Sequence, residues 1–232
     1  MTIKRVLIAN RGEIALRVIR ACQQLGIETV LATSEADRDS LPARVADRAV
    51  CIGPARSADS YLNVRAIVTV AQATGCDAVH PGYGFLSENP TLVDACDAEG
   101  LIFVGPKGEH MRKMGNKIAA RVLAREAGVP TLPGSEKIAS ADDAVMVAER
   151  VGYPVMMKAA AGGGGRGMKV VYDPKTLPQT FASASAEAGS AFGDPTLYLE
   201  RFIANARHIE VQVLGDKFGN VIHVGERDCS LQ

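Results

Sequence analysis

The chain has 232 residues, 47% hydrophobic and 22% charged, which is enough apolar material for one or two globular cores. Its 26 basic residues balance its 26 acidic ones, so no excess charge draws it to nucleic acid or to an anionic membrane surface. No apolar run has the length of a membrane span, and the apolar part of Lys4–Asn10 is too short for a signal peptide.

Cys22, Cys51, Cys76, Cys96 and Cys229 are scattered and form no C-x-x-C pair, so they read as free thiols of a reducing cytosol or organelle matrix. In chain order, Arg5–Ala9 reads as a strand, and Asn10–Glu13 turns into a helix through Ile14–Ala21 with a broad apolar stripe. Gly26 stops that helix and Ile27–Ala32 is the next strand, a βαβ opening that predicts a parallel sheet. Ala49–Ile52 is a short strand, Asn63–Thr74 a helix ended by Gly75, and Asp77–His80 a strand. Pro81–Asn89 is a loop before a helix near Thr91–Glu99, and Leu101–Val104 is the strand that follows. This alternation predicts one doubly wound α/β domain over residues 1–114.

Ligands of such sheets sit at the carboxyl ends of the strands, where Asn10–Glu13 and Pro81–Asn89 fall. The first lacks G-x-G-x-x-G, which argues against a nicotinamide cofactor there. The second carries Tyr83 between Gly82 and Gly84; it suits a flat, uncharged ligand, or it is a plain structural turn.

Lys107–Ala127 is helical with a break at Gly115-Asn116, and Lys113, Lys117, Arg121 and Arg125 recur every fourth residue along one face. A solvated helix surface accounts for most of these four. Val129–Gly134 is the best boundary, rich in turn residues and too irregular for an element. Residues 115–134 therefore form a connecting helix and linker. Ser140–Asp143 caps a helix to Val151, a small-residue helix spans about Leu177–Ala188, and Leu197–Ile203 is a strand. With the Val155–Tyr172 hairpin these make an α+β unit over residues 135–203. Arg207–Leu214 and Val221–Gly225 form a last antiparallel hairpin, which cannot bury a core alone, so residues 204–232 are expected to be the truncated start of a further domain.

The organising stretch is Val155–Tyr172: an apolar strand ending at Lys158, a loop with Gly162, Gly163, Gly164, Gly165 and Gly167, then a second strand. Glycines expose bare N–H groups and let the backbone approach a polyphosphate, although ordering each costs roughly 0.5–1 kcal/mol relative to alanine. No Gly-Lys-Ser/Thr runs into a helix as in a P-loop, and no helix follows as in a dinucleotide fold. The lysine precedes the loop and no His-Arg-Asp or Asp-Phe-Gly follows, unlike a kinase. A plain flexible hairpin tip is the remaining alternative.

Six segments in register, Ala9–Ala15, His80–Asn89, Phe103–Pro106, Met114–Lys117, Lys158 with its glycine loop, and Glu226–Gln232, resemble biotin carboxylase, the ATP-grasp component of biotin-dependent carboxylases. The resemblance implies a pre-ATP-grasp domain, then an ATP-grasp lid and the start of the C-terminal ATP-grasp domain. It implies a two-step reaction in which ATP and bicarbonate give carboxyphosphate, whose CO₂ is placed on N1 of a biotin tethered to a carrier protein. By position, Lys117 and Lys158 would meet ATP phosphates, Gly164 and Gly165 would close over them, and Met168 would pack on adenine. Glu200, Arg201, Phe202 and Ile203 would form the adenine hinge, His208 would face the ribose, and Tyr83 and Gly84 would line the biotin side.

The resemblance also implies a biotin carboxyl carrier protein or domain and a carboxyltransferase as partners, and a homodimer for the longer parent. The Mg²⁺ ligands, the bicarbonate arginine and the general-base glutamate are expected after Gln232, so no catalytic or metal-binding residue is assigned within this chain and it is expected to be inactive alone. Arg201-Phe202-Ile203 stands where relatives often have Lys-Tyr-Leu, a change that backbone contacts tolerate, and Ala159-Ala-Ala161 stands where they can carry Ser and Gly. The rival readings are another ATP-grasp ligase, such as a carbamoyl-phosphate synthase half, and a non-catalytic nucleotide-binding module.

Overall fold

The computed structural model describes residues 2–161 and 167–231, and the chain divides into two compact units, Met1–Gly115 and Asn116–Gln232. The first unit alternates strands and helices: β1 (Arg5–Ile8), α1 (Gly12–Gln24), β2 (Glu28–Ser34), α2 (Leu41–Val45) and β3 (Arg48–Gly53). It continues with α3 (Val64–Ala73), β4 (Ala78–His80), α4 (Pro90–Ala98), β5 (Ile102–Phe103) and α5 (Gly108–Gly115). All five strands are parallel, in the order β3-β2-β1-β4-β5.

Side chains alternate across β1, so the sheet needs cover on both faces. Leu7 and Ala9 pack with Ile67, Ala71, Leu92 and Cys96 from α3 and α4, whereas Val6 and Ile8 pack with Ala15, Val18 and Ile19 from α1. This is the doubly wound arrangement expected from the sequence. The strand order reverses between β1 and β4, which makes their carboxyl ends the crevice of the sheet.

The second unit holds α6 (Lys117–Glu126), α7 (Ala141–Val151), β6 (Val155–Ala159), β7 (Met168–Val171), α8 (Leu177–Phe192) and β8 (Leu197–Arg201). A hairpin of β9 (Ile209–Gly215) and β10 (Val221–Asp228) follows. The three-stranded sheet is antiparallel in the order β7-β6-β8. Val155, Met157, Ala159, Leu197 and Leu199 turn one face of it onto α7 and α8. Period-two alternation then puts Met156, Lys158, Tyr198 and Glu200 on the other face.

Two expectations change here. Asn116 caps α6 by accepting from Ile118 N–H and Ala119 N–H, both 3.0 Å, so Lys113 lies in the last turn of one helix and Lys117 starts another; the four-residue cationic stripe is not one helical face. The linker is also more ordered than its composition suggested. Along the outer edge of β8, Ser135 N–H donates to Leu199 O (2.7 Å), Ile138 N–H to Leu197 O (2.9 Å) and Arg201 N–H to Pro133 O (2.9 Å). Both faces of the β9–β10 hairpin are largely exposed, with Val211, Val213, Val221 and Ile222 each more than half accessible. Among the described residues no helix is long and apolar enough to cross a membrane.

Candidate functional site

In the first unit the two loops singled out in the sequence meet at the reversal of strand order. Asn10, 3% exposed, donates through Nδ2 to Pro81 O (2.7 Å) and Tyr83 O (2.8 Å), and its Oδ1 accepts from Arg11 N–H (2.9 Å). A Cβ on Gly82 would lie 2.7 Å from Asn10 Nδ2, and Gly82 has φ +65°, so this turn needs glycine twice over. Phe85, at φ 42°, stacks on Tyr61 with ring centroids 4.9 Å apart. Tyr61 OH in turn donates to Asp37 Oδ2 (2.8 Å), which also accepts from Ser34 Oγ and Arg11 Nη1.

Burial alone would raise the Asp37 carboxyl, but the hydrogen bonds from Ser34 and Tyr61 and the charge of Arg11 outweigh it and leave it below its ordinary value. Burial first, and the neighbouring carboxylate with it, pushes the Tyr61 phenol up to about 12. The loop is thereby pinned at both ends of Tyr83, whose own side chain is 64% exposed beside Gly84. Sequence reading named this loop but missed its anchors, because nothing in the order of residues pairs Asn10 with Tyr83 or Tyr61 with Phe85.

His80 lies at the root of the same loop, and its Nδ1 accepts from Gly82 N–H (3.0 Å), which requires that nitrogen to be unprotonated. Burial lowers the imidazole below 6.5. With the folded value below the unfolded one, its contribution to stability is complete above about pH 6.5 and is lost as the pH falls through the folded value. The unfolding midpoint in denaturant should therefore drop more steeply between pH 7 and 5 in the wild type than in His80→Asn. Parallel pH profiles would refute this assignment.

In the second unit a cluster of charges builds on the open face of the β7-β6-β8 sheet. Lys158 stands opposite Tyr198 and Met156 opposite Glu200, so Lys158 and Glu200 are diagonal neighbours on one face. Lys158 Nζ pairs with Glu200 Oε1, and Arg121 Nη1 reaches Glu200 Oε2 at 3.0 Å. Arg121 also donates through Nη2 to Leu132 O (2.7 Å), and its guanidinium sits 5.9 Å from the centroid of the Tyr198 ring. Glu200 is 6% exposed. Lys117, at the start of α6, is pushed below its ordinary value by burial and then by the charge of Lys158, with Glu200 opposing. Two cations thus share one carboxylate and Lys117 adds a third positive charge nearby, a surplus of positive charge in a partly desolvated place.

The adenine hinge expected at Glu200–Ile203 is only partly free. Arg201 N–H is taken by Pro133 O and Phe202 N–H by Pro154 O (3.0 Å), so these two donors cannot serve a ligand without breaking a bond. The residue across the edge from Arg201 is Pro133, which has no N–H to return. Among the described residues no donor reaches Arg201 C=O and no acceptor reaches Ile203 N–H. One acceptor and one donor, two residues apart, therefore stand open at the end of β8.

Met168 opens β7 directly opposite Lys158 and is 41% exposed. His208 is not brought into the charge cluster by any ion pair or hydrogen bond among the described residues. Its N–H donates to Ser230 Oγ (2.9 Å) and its carbonyl accepts from Cys229 N–H (2.8 Å) at the base of the last hairpin. Gly164 and Gly165 lie outside the described residues. Arg121, which sequence reading left on a solvated face, is instead 15% exposed and ion-paired. Its only sequence signal is a basic residue four positions after Lys117. Among the described residues no three His, Cys, Asp or Glu side chains group to hold a metal ion.

Comparison with known proteins matches residues 2–111 to the family described as biotin carboxylase, N-terminal domain, and residues 116–232 to the carbamoyl-phosphate synthase L chain, ATP binding domain. The biotin carboxylase of Pseudomonas aeruginosa is 53% identical over 232 residues, which are 99% of this chain and 52% of that protein. The chain belongs to the biotin carboxylase family.

A biotin carboxylase from Campylobacter jejuni, solved in a complex with a β,γ-ATP species, superposes with a TM-score of 0.93 at 53% identity, covering 98% of this chain and 51% of that one. The biotin carboxylase domain dimer of Hydrogenobacter thermophilus 2-oxoglutarate carboxylase, solved with MgADP, ADP and bicarbonate, superposes at 0.91 with 47% identity over 100% of this chain and 51% of that one. The architecture is thus that of the biotin carboxylase ATP-grasp structures. The chain spans about half the length of the curated biotin carboxylases it matches.

Proposed function

We propose that this chain is the nucleotide-binding and biotin-side part of an ATP-dependent biotin carboxylase. The observation that carries the reading is the surplus of cations around Glu200: Lys117, Lys158 and Arg121 against one carboxylate, beside an open donor–acceptor pair at Arg201 C=O and Ile203 N–H. A triphosphate supplies the missing negative charge, and an adenine edge offers the complementary donor and acceptor. Met168 then packs on the base and His208 faces the ribose. Gly164 and Gly165 close over the phosphates as a lid, and Tyr83 with Gly84 flanks the biotin ring.

Residues 135–203 act as the lid, 115–134 as its connection, 1–114 as the biotin-side domain and 204–232 as the start of the C-terminal ATP-grasp domain. Phosphoryl transfer from ATP to bicarbonate depends on positioning and charge neutralisation, which these lysines serve. Magnesium supplies further charge neutralisation when bound. Among the described residues no carboxylate cluster stands ready to hold it, and the family resemblance assigns its ligands to the part after Gln232. The carboxylated biotin belongs to a carrier protein or domain and passes to a carboxyltransferase, the longer parent is a homodimer, and the compartment is the cytoplasm or an organelle matrix.

A carbamoyl-phosphate synthase half is favoured by the description of the domain matched at residues 116–232, and disfavoured by the match at residues 2–111 and by the Tyr83 loop. Calorimetric titration with ATP tests the reading. Saturable binding is expected, together with no biotin- and bicarbonate-dependent ADP release by the 232 residues alone. Absence of ATP binding would overturn the nucleotide site, and such ADP release would overturn the division of chemistry.

A further inference from the structure

The ion cluster poses a problem for any phosphate-binding role of Lys158. In the structure its ammonium is spent on Glu200, a carboxylate that is almost wholly buried on the same sheet face. To reach a phosphate, Lys158 must leave Glu200. A buried carboxylate that loses its counterion is strongly unfavourable, so a lone Lys158–Glu200 pair would hold the lysine back.

Arg121 changes that balance. It binds the second carboxylate oxygen at 3.0 Å, and it is fixed independently of Glu200 by Leu132 O at 2.7 Å and by its place over the Tyr198 ring. Its planar fork is pre-organised, whereas Lys158 carries a compact charge on a flexible stem. The two cations are therefore unequal: one is anchored and the other free to turn. An anion arriving near Lys117, whose ammonium is lowered by burial first and by the charge of Lys158 second, offers Lys158 a second partner.

We propose that Arg121 is a positioning residue that keeps Glu200 neutralised while Lys158 exchanges the carboxylate for a nucleotide phosphate, an inference that rests on the nucleotide reading above. The ligand class is a nucleoside di- or triphosphate. Adenosine, without phosphates, has no use for the exchange.

The test compares ATP, ADP and adenosine affinities, by calorimetry or by competition for those too weak to titrate, in the unaltered chain, in Arg121→Met and in the double variant Arg121→Met/Glu200→Gln. Arg121→Met is expected to weaken ATP and ADP about tenfold and adenosine less than about twofold. The double variant, which has no carboxylate to hold Lys158, is expected to return ATP to within about threefold of the unaltered chain. Equal losses for ATP and adenosine, as a merely structural role would give, would overturn the proposal, and so would unchanged ATP affinity or a double variant as weak as the single one. Should Arg121→Met not fold, Arg121→Gln decides the same question: the tenfold, phosphate-dependent loss supports the exchange and an unchanged ATP affinity refutes it. If the unaltered chain binds no ATP, the nucleotide reading fails and this proposal falls with it. If it binds ATP and the Arg121 variants bind it equally, the proposal alone fails.

Discussion

Replacing Lys158 by alanine is expected to weaken ATP binding about ten- to a hundredfold, because one charge-assisted hydrogen bond to a phosphate is worth roughly 1.5–3 kcal/mol. The sign of the effect follows from where Lys158 stands. It lies in the central strand of the three-stranded sheet, paired on one side with Met168 and on the other with Tyr198, so its Cα cannot drift and no neighbour can take its place. The loss should be specific. Glu200 keeps Arg121 as a counterion in the variant, so the carboxylate is not left bare and the sheet should hold.

Titration calorimetry with ATP and adenosine separates the outcomes. A large loss for ATP with little change for adenosine assigns the lysine to the phosphates. Unchanged ATP affinity would remove Lys158 from the site. Equal losses for both ligands would mean that the strand itself had been disturbed.

The legible and illegible parts of this molecule divide along a physical line. Local periodicity and helix stops carried the first unit: the apolar runs at Arg5–Ala9 and Asp77–His80, and Gly26 and Gly75, which follow the first and third helices with φ of 68° and 65°. Those signals lie within a few residues of the element they specify. The five-residue α2 was missed because a single turn opening on Leu41-Pro42 offers too few positions for a 3.6-residue period to show. Helix α8 runs four residues past its expected end, to Phe192, since Gly189 does not break it and Gly193, in the left-handed conformation, does.

What could not be read was pairing at a distance. Arg121 and Glu200 are 79 positions apart and Asn10 and Tyr83 are 73, and no local pattern distinguishes a helix-surface arginine from one that has a buried partner. The same holds for Pro133. As a linker residue it is a turn signal, yet beside β8 its missing N–H leaves Arg201 C=O open. Along the expected hinge, Arg201 and Phe202 N–H are likewise taken by neighbours, Pro133 O and Pro154 O, that only the fold supplies.

The largest stability effect is expected at Gly134, where the linker runs against the hinge strand. A Cβ there would lie 2.4 Å from Leu199 O, 3.0 Å from Glu200 Cα and 3.1 Å from Arg121 Nη2. The first two atoms belong to the backbone of β8 and cannot yield, so residues 133–135 must back away. Retreat breaks the bonds from Ser135 N–H to Leu199 O and from Arg201 N–H to Pro133 O, and pulls Ser135 Oγ from Leu199 N–H, all beside a buried strand.

Overpacking costs about 1–3 kcal/mol and each buried group left unpaired a similar amount, so Gly134→Ala should lose at least about 2 kcal/mol and lower the melting point of the second unit by roughly ten degrees. Gly189→Ala is the matched control. Its Cβ meets only Pro195 Cβ, at 3.7 Å, inside α8, where alanine is favoured over glycine by about 1 kcal/mol, so that variant should melt no lower than the parent. The two substitutions add the same methyl group to the same unit, and only one of them wedges the linker away from Glu200 and Arg121. If both variants melt alike, the Pro133–Ser135 edge does not brace β8, and the open carbonyl of Arg201 loses its structural cause.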